Sequence, residues 1–131
     1  MKTKGRLPQN GLHQERYNNG QLSISGRYTR GRRTGVWKYY LRNGVVRAQG
    51  RFADGRMTGT WRFHRESGAL WVVGAFTADK KHGLFKRYHP NGKLLDVGRF
   101  VAGKPAGVWK TYDAKGKLTK TKIFSARSRF G

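Results

Sequence analysis

The chain has 131 residues, with 29 Lys and Arg against six Asp and Glu, and a formal net charge of +23 at pH 7. That is one domain's worth of chain. With no cysteine and no run of about 18 apolar residues, it excludes disulfides, thiolate metal sites, cysteine nucleophiles and a membrane-spanning helix. Solubility needs a charge magnitude of only about 2–8, and a larger excess strains the fold by self-repulsion, so something uses it. Nucleic acid, an acidic protein and an anionic membrane surface are the classes that fit. The opening "MKTKGRLPQN" has no apolar core region, which predicts no secretory signal and a cytoplasmic location.

One phrase recurs along the chain. "GVWKYYLRNG" starts at Gly35, "GTWRFHRESG" at Gly59, "GLFKRYHPNG" at Gly83 and "GVWKTYDAKG" at Gly107, 24 residues apart each time. A fixed period of this length marks a repeat architecture. Residues 1–131 therefore read as a single repeat domain. A degenerate unit spans 11–25, full units span 26–49, 50–73, 74–97 and 98–121, and a capping stub with a basic tail spans 122–131.

In chain order, the first unit keeps only Gly11, Asn19, Gly20, Leu22 and Ile24 in phase. Each full unit then carries two β-branched or aromatic runs, too short for ordinary helices. The short aromatic run is typified by Val36 to Leu41. The longer one is Val45 to Phe52, Leu70 to Phe76 and Leu94 to Phe100. "RGRRTG", "DGRMTG", "DKKHG" and "AGKPAG" read as turns on one side, and "RNG", "ESG", "PNG" and "AKG" on the other. Asn-Gly predicts a type I′ hairpin turn, whose central residues both need positive φ. The fold class is all-β: an elongated, twisted, single-layer meandering antiparallel sheet of stacked 24-residue hairpins, roughly ten strands and no helix.

Stacking turns each phase into a column. One column is Trp37, Trp61, Phe85 and Trp109; a second is Tyr28, Phe52, Phe76, Phe100 and Phe124; a third is Tyr40, His64, Tyr88 and Tyr112. Strand register decides which faces inward, and the sequence leaves that open. The head glycines Gly26, Gly50, Gly74 and Gly98 fall inside strands. They mark either a large ring lying over bare backbone or a sharp coil of the sheet. A phosphate cradle would require a helix N-terminus, which this pattern lacks.

Head glycine, aromatic, "G-x-W-[KR]-x-[YH]", turn glycine and aliphatic stand as Gly26, Tyr28, Gly35, Trp37, Tyr40, Gly44 and Val46. They recur as Gly50, Phe52, Gly59, Trp61, His64, Gly68 and Leu70, then as Gly74, Phe76, Gly83, Phe85, Tyr88, Gly92 and Leu94. The fourth set is Gly98, Phe100, Gly107, Trp109, Tyr112, Gly116 and Leu118. This grammar resembles the MORN-repeat variant family from Gly11 to about Phe124. The resemblance implies an elongated sheet of stacked hairpins acting as a non-enzymatic scaffold or binding module. Eukaryotic relatives are associated with anionic lipids, and many bacterial ones carry an antitoxin label. Nothing in the shared motif requires so large a charge, so the excess belongs to this chain's own partner.

Catalytic chemistry has little to work with. The carboxylates Glu15, Asp54, Glu66, Asp79, Asp96 and Asp113 are dispersed, and Asp54 and Asp79 suit turns better than acid–base work. His13, His64, His82 and His89 fall in different phases without metal-ligand spacing. No catalytic residue, metal, cofactor or small-molecule substrate is expected.

The cations are organised. Arg27, Arg51 and Arg99 follow the head glycine. Arg32, Arg56, Lys80 and Lys104 occupy the first turn, and Lys38, Arg62, Lys86 and Lys110 follow the first aromatic column. Arg30 and Arg33 add to the most basic unit, and Arg127 and Arg129 to the tail. Rows of cations interleaved with the column of Tyr40, His64, Tyr88 and Tyr112 suit a phosphate backbone and unstacked bases. Solvation of an open face and protection of strand edges is the plainer account of such rows. The expected partner is nucleic acid, DNA or RNA. An acidic protein or ribonucleoprotein, bound by an antitoxin-like inhibitor or assembly subunit, is the alternative; an anionic lipid surface ranks third, since polybasic attraction needs a second anchor.

Overall fold

The computed structural model describes residues 9–124, which form ten strands and no helix. They are β1 (Gly11–Arg16), β2 (Leu22–Thr29), β3 (Arg32–Tyr40), β4 (Val46–Ala53) and β5 (Arg56–His64). β6 (Leu70–Thr77), β7 (Lys80–Tyr88), β8 (Leu94–Val101), β9 (Lys104–Tyr112) and β10 (Leu118–Phe124) follow. All ten pair antiparallel in sequence order in one sheet. Two turns per unit leave each strand no closer partner than its neighbour in the chain.

The two kinds of turn sit at opposite ends of the strands and differ from the sequence expectation. The type I′ pairs are Arg30-Gly31, Asp54-Gly55, Ala78-Asp79 and Ala102-Gly103, with both residues at positive φ. In the Asn-Gly loops only the glycine is left-handed: Gly44 has φ 89° and its N–H donates to Leu41 O at 2.9 Å. Asn43 instead accepts the Val45 N–H on its side chain at 3.0 Å, which a residue held for positive φ need not do. Because the I′ turns take only two residues, "RRTG" and its equivalents belong to the strand. Arg32, Arg56, Lys80 and Lys104 are therefore first strand residues, not turn residues.

Register settles the faces. Trp37 pairs with Gly50 and Gly35 with Phe52, while Lys38 pairs with Gln49 and Val36 with Arg51. The first two aromatic columns therefore share one face and interdigitate. Ring centroids are 5.3 Å apart for Tyr28–Trp37, 5.9 Å for Trp37–Phe52 and 5.2 Å for Phe52–Trp61, all edge to face. Trp37 and Trp61 are 1% and 2% exposed, so one face of a single layer makes the core. No unit could bury these rings alone; each depends on the next.

The head glycines are needed for space. A Cβ on Gly50 would lie 2.1 Å from the Trp61 ring, and Gly26, Gly74 and Gly98 are covered in the same way by Trp37, Phe85 and Trp109. The indole N–H of Trp61 donates to Arg51 O at 3.0 Å, locking the ring over the bare backbone. Trp37 and Trp109 repeat this bond to Arg27 O and Arg99 O. Gly59, at φ 71°, sits where the β4–β5 register slips, and the bulge turns Trp61 onto the core face.

Candidate functional site

The face opposite the rings, here the outer face, collects the cations. Arg32, Arg56, Lys80 and Lys104 pair with Thr29, Ala53, Thr77 and Val101 and form the row nearest the two-residue turns. Arg27, Arg51 and Arg99 come next, opposite Thr34, Thr58 and Ala106. Lys38, Arg62, Lys86 and Lys110 form the third row, opposite Ser25, Gln49, Val73 and Val97. Within the first and third rows the cations stand two strands apart, about 9–10 Å at the usual strand spacing; the second row skips β6, where Ala75 stands between Arg51 and Arg99.

No carboxylate interrupts them. Glu15 pairs with Ile24 and Asp96 with Thr111 on the aromatic face, whereas Asp54, Asp79, Glu66 and Asp113 lie in turns and loops. The nearest acid is Asp54, whose Oδ1 is 3.8 Å from the Arg32 guanidinium with both side chains solvated. So exposed a pair is worth little, and Arg32 stays available.

The third aromatic column meets this face. Tyr88 lines a depression of about 350 Å³ with Arg62, Lys86 and Leu84. Leu70 also lines it, although simple alternation would put it on the face of Val72 and Phe76, because the β5–β6 register slips between Phe63 and His64. Tyr40, His64, Tyr88 and Tyr112 are half-buried rather than free-standing. Neighbouring repeats tie down their backbone: Arg65 donates to Tyr88 O at 2.9 Å and His89 Nε2–H to Tyr112 O at 2.8 Å.

Other candidates fall elsewhere. Arg33 is on the aromatic face, paired with Tyr28, its guanidinium 5.2 Å from the Trp37 ring centroid and 5.4 Å from that of Phe52. Two consecutive arginines after a turn must point to opposite faces, so Arg33 caps the core and does not join the rows. Its charge partly offsets the burial that pushes the Tyr39 phenol pKa up. Arg30 is at a turn tip, φ 53°, off the rows. Arg127 and Arg129 lie outside the described residues.

Two outer-face residues escaped the sequence reading. Arg47 and the exposed Trp71 share a concavity with His64 and Arg65, and the Arg65 guanidinium is 5.4 Å from the Trp71 ring centroid. Trp71 stands in the phase of Arg47, outside every aromatic column, so column logic passed over it. Among the described residues no group of three or more His, Asp or Glu side chains could hold a metal ion.

Residues 33–54 and 81–101 match the MORN repeat variant family model. No curated protein sequence matches the chain significantly. Twelve solved chains match it. One, from the crystal structure of a GtfA/B complex bound to UDP and GlcNAc, is 15% identical at a TM-score of 0.41. That match covers 74% of this chain and 23% of the other, so the chain spans less than a quarter of that protein's length.

Proposed function

The chain is a MORN-variant repeat protein, and from that premise we propose that it is a non-enzymatic module whose outer face binds the phosphate backbone of nucleic acid. The observation that carries this reading is the segregation of charge: eleven cations in three rows on one face, with all six carboxylates placed off it. Solvation alone does not require that separation. Regularly spaced cations attract a regularly charged polymer without reading its sequence.

The test is a salt titration of oligonucleotide binding. Each phosphate contact releases counterions, so log K falls with log salt by about 0.7–0.9 per contact. Replacing Lys38, Arg62 and Lys110 together with glutamine flattens the slope by about two to three units, equally for unrelated sequences. An unchanged slope overturns the proposal. One observation favours an acidic protein partner as a second reading: Leu12, Val36, Leu84, Val108 and Ile123 are exposed on the same outer face. That reading gains if nucleic-acid binding vanishes at about 0.15 M salt, where charge–charge attraction alone is screened beyond about 8 Å.

A further inference from the structure

The aromatic face is continuous except at one place. Edge-to-face contacts run from Tyr28 to Trp61, and again from Phe76 through Phe85, Phe100 and Trp109 to Phe124. Among the described residues no ring contact joins Trp61 to Phe76, although Trp37 meets Phe52 at the equivalent step. Three sequence changes coincide there. Phe85 replaces the tryptophan of the other units, Arg87 stands where Tyr39 and Phe63 stand, and Asp96 stands where Ala48 and Val72 stand. The smaller ring and the missing one leave a cavity of about 400 Å³, lined chiefly by Phe63, Val72, Phe76, Phe85 and Phe100.

Its charges are unequal. Arg87 donates to both carboxylate oxygens of buried Asp96, Nη2 to Oδ2 at 2.6 Å and Nε to Oδ1 at 3.1 Å, so these two neutralise each other. That pairing raises the Arg87 pKa further, and its charge stays on. Lys81 is different. Its ammonium lies 4.9 Å from the Phe100 centroid and 5.5 Å from that of Phe85, and it makes no ion pair among the described residues. The site is therefore an apolar slot between ring edges with one uncompensated positive charge at its rim.

We propose that this cavity binds a small aryl carboxylate, its ring between Phe63 and Phe85 and its carboxylate on Lys81. Volume limits the occupant to a small molecule, since small-molecule sites begin at roughly 300 Å³. Ring edges favour an aromatic body, and the single net charge selects a monoanion.

The probe is 2-naphthylacetate, titrated calorimetrically against the whole chain in about 0.5 M salt. There the Debye length is roughly 4 Å and attraction to the outer rows is screened. The expected result is saturable 1:1 binding. Phe85→Trp restores the ring found in the other units, over a glycine that accepts it, and fills the slot. It keeps the β-sheet circular dichroism and weakens binding at least about tenfold. Lys81→Gln weakens the carboxylate about two- to fivefold, the worth of a partly exposed ion pair. The same variant leaves the neutral 2-(2-naphthyl)ethanol unaffected. The proposal is overturned if wild type shows no saturable binding at millimolar ligand, if Phe85→Trp binds like wild type, or if Lys81→Gln affects acid and alcohol alike.

Discussion

Gly50 and Trp61 act as one device: the residue without a side chain makes room for the largest side chain there is. Gly50→Ala puts a methyl about where the indole lies, 2.1 Å from its atoms. Displacing the ring also breaks its bond to Arg51 O. The expected loss is at least about 3 kcal/mol, the upper end of overpacking. Trp61→Ala costs roughly 3–5 kcal/mol by leaving a cavity. Since both variants destroy the same contact, the double variant loses clearly less than the sum in urea titrations; additive losses would mean that ring and glycine are independent. Asp113 shows a different residue-level substitution. Asn19, Asn43, Ser67 and Asn91 each bond the N–H two residues on, and Lys115 in their phase cannot. Asp113 takes over, accepting from Lys115 N and Lys117 N at 2.9 Å each. Those N–H groups, Lys117 first, hold its pKa below the ordinary carboxylate value. A depressed folded pKa gives stability that is present above the unfolded pKa, about 4, and is lost as pH falls through the folded value. The gap in melting temperature between wild type and Asp113→Ala accordingly narrows below about pH 4. A constant gap would put the effect in packing.

At the element scale, the two-residue turns decide how tightly consecutive hairpins join. Each sends an N–H back one repeat: Gly55 N to Arg33 O, Asp79 N to Met57 O and Gly103 N to Lys81 O. Ala78-Asp79 makes this turn with two L-residues at φ 48° and 73°. Asp79 is compensated by its bond to Met57 N at 2.8 Å; Ala78 has no side chain that could do the same. Left-handed backbone costs an ordinary residue roughly 1–2 kcal/mol, and asparagine less. Ala78→Asn is thus expected to stabilise by about 0.5–1 kcal/mol, seen as a higher midpoint in thermal melts. No gain would show that the turn is not strained. The strand boundaries differ from the sequence expectation at these same turns, because "RGRRTG" has the composition of a six-residue loop. Only its first two residues turn, and the other four pair in the sheet.

Over the whole molecule, every strand pairs only with its chain neighbours and reaches no further than the adjoining repeat through its rings and turns, so stability is a sum of units and the contacts between them. Excising residues 50–73 joins Gln49 to Gly74 in the same phase and preserves the alternation of faces. The shortened chain is expected to fold cooperatively with β-sheet circular dichroism and a lower melting midpoint. Loss of all structure would mean that the rings around Trp61 form one indivisible core. The additive design also explains the charge pattern: each basic residue placed once per unit becomes a row, and three such phases share the outer face.

Period, glycine–aromatic alternation and turn residues determined the all-β meander, because each is local and a 24-residue repeat copies every local decision. The recurrence of the cation phases was legible too, since a position filled once per unit repeats with the period, but their faces follow from the pleat, which sends consecutive residues to opposite sides. What only the tertiary structure decided was how the columns lie on one another. The bulge at Gly59 and its equivalents places Trp61 and Phe52 on the same side, and no count along the sequence shows where register slips. Arg33 was assigned with its neighbours by composition and removed from them by the pleat. The gap beside Phe85 emerges only when adjacent units are stacked: a ring one size smaller, an arginine and a buried aspartate are unremarkable singly, and they open space only where they face one another.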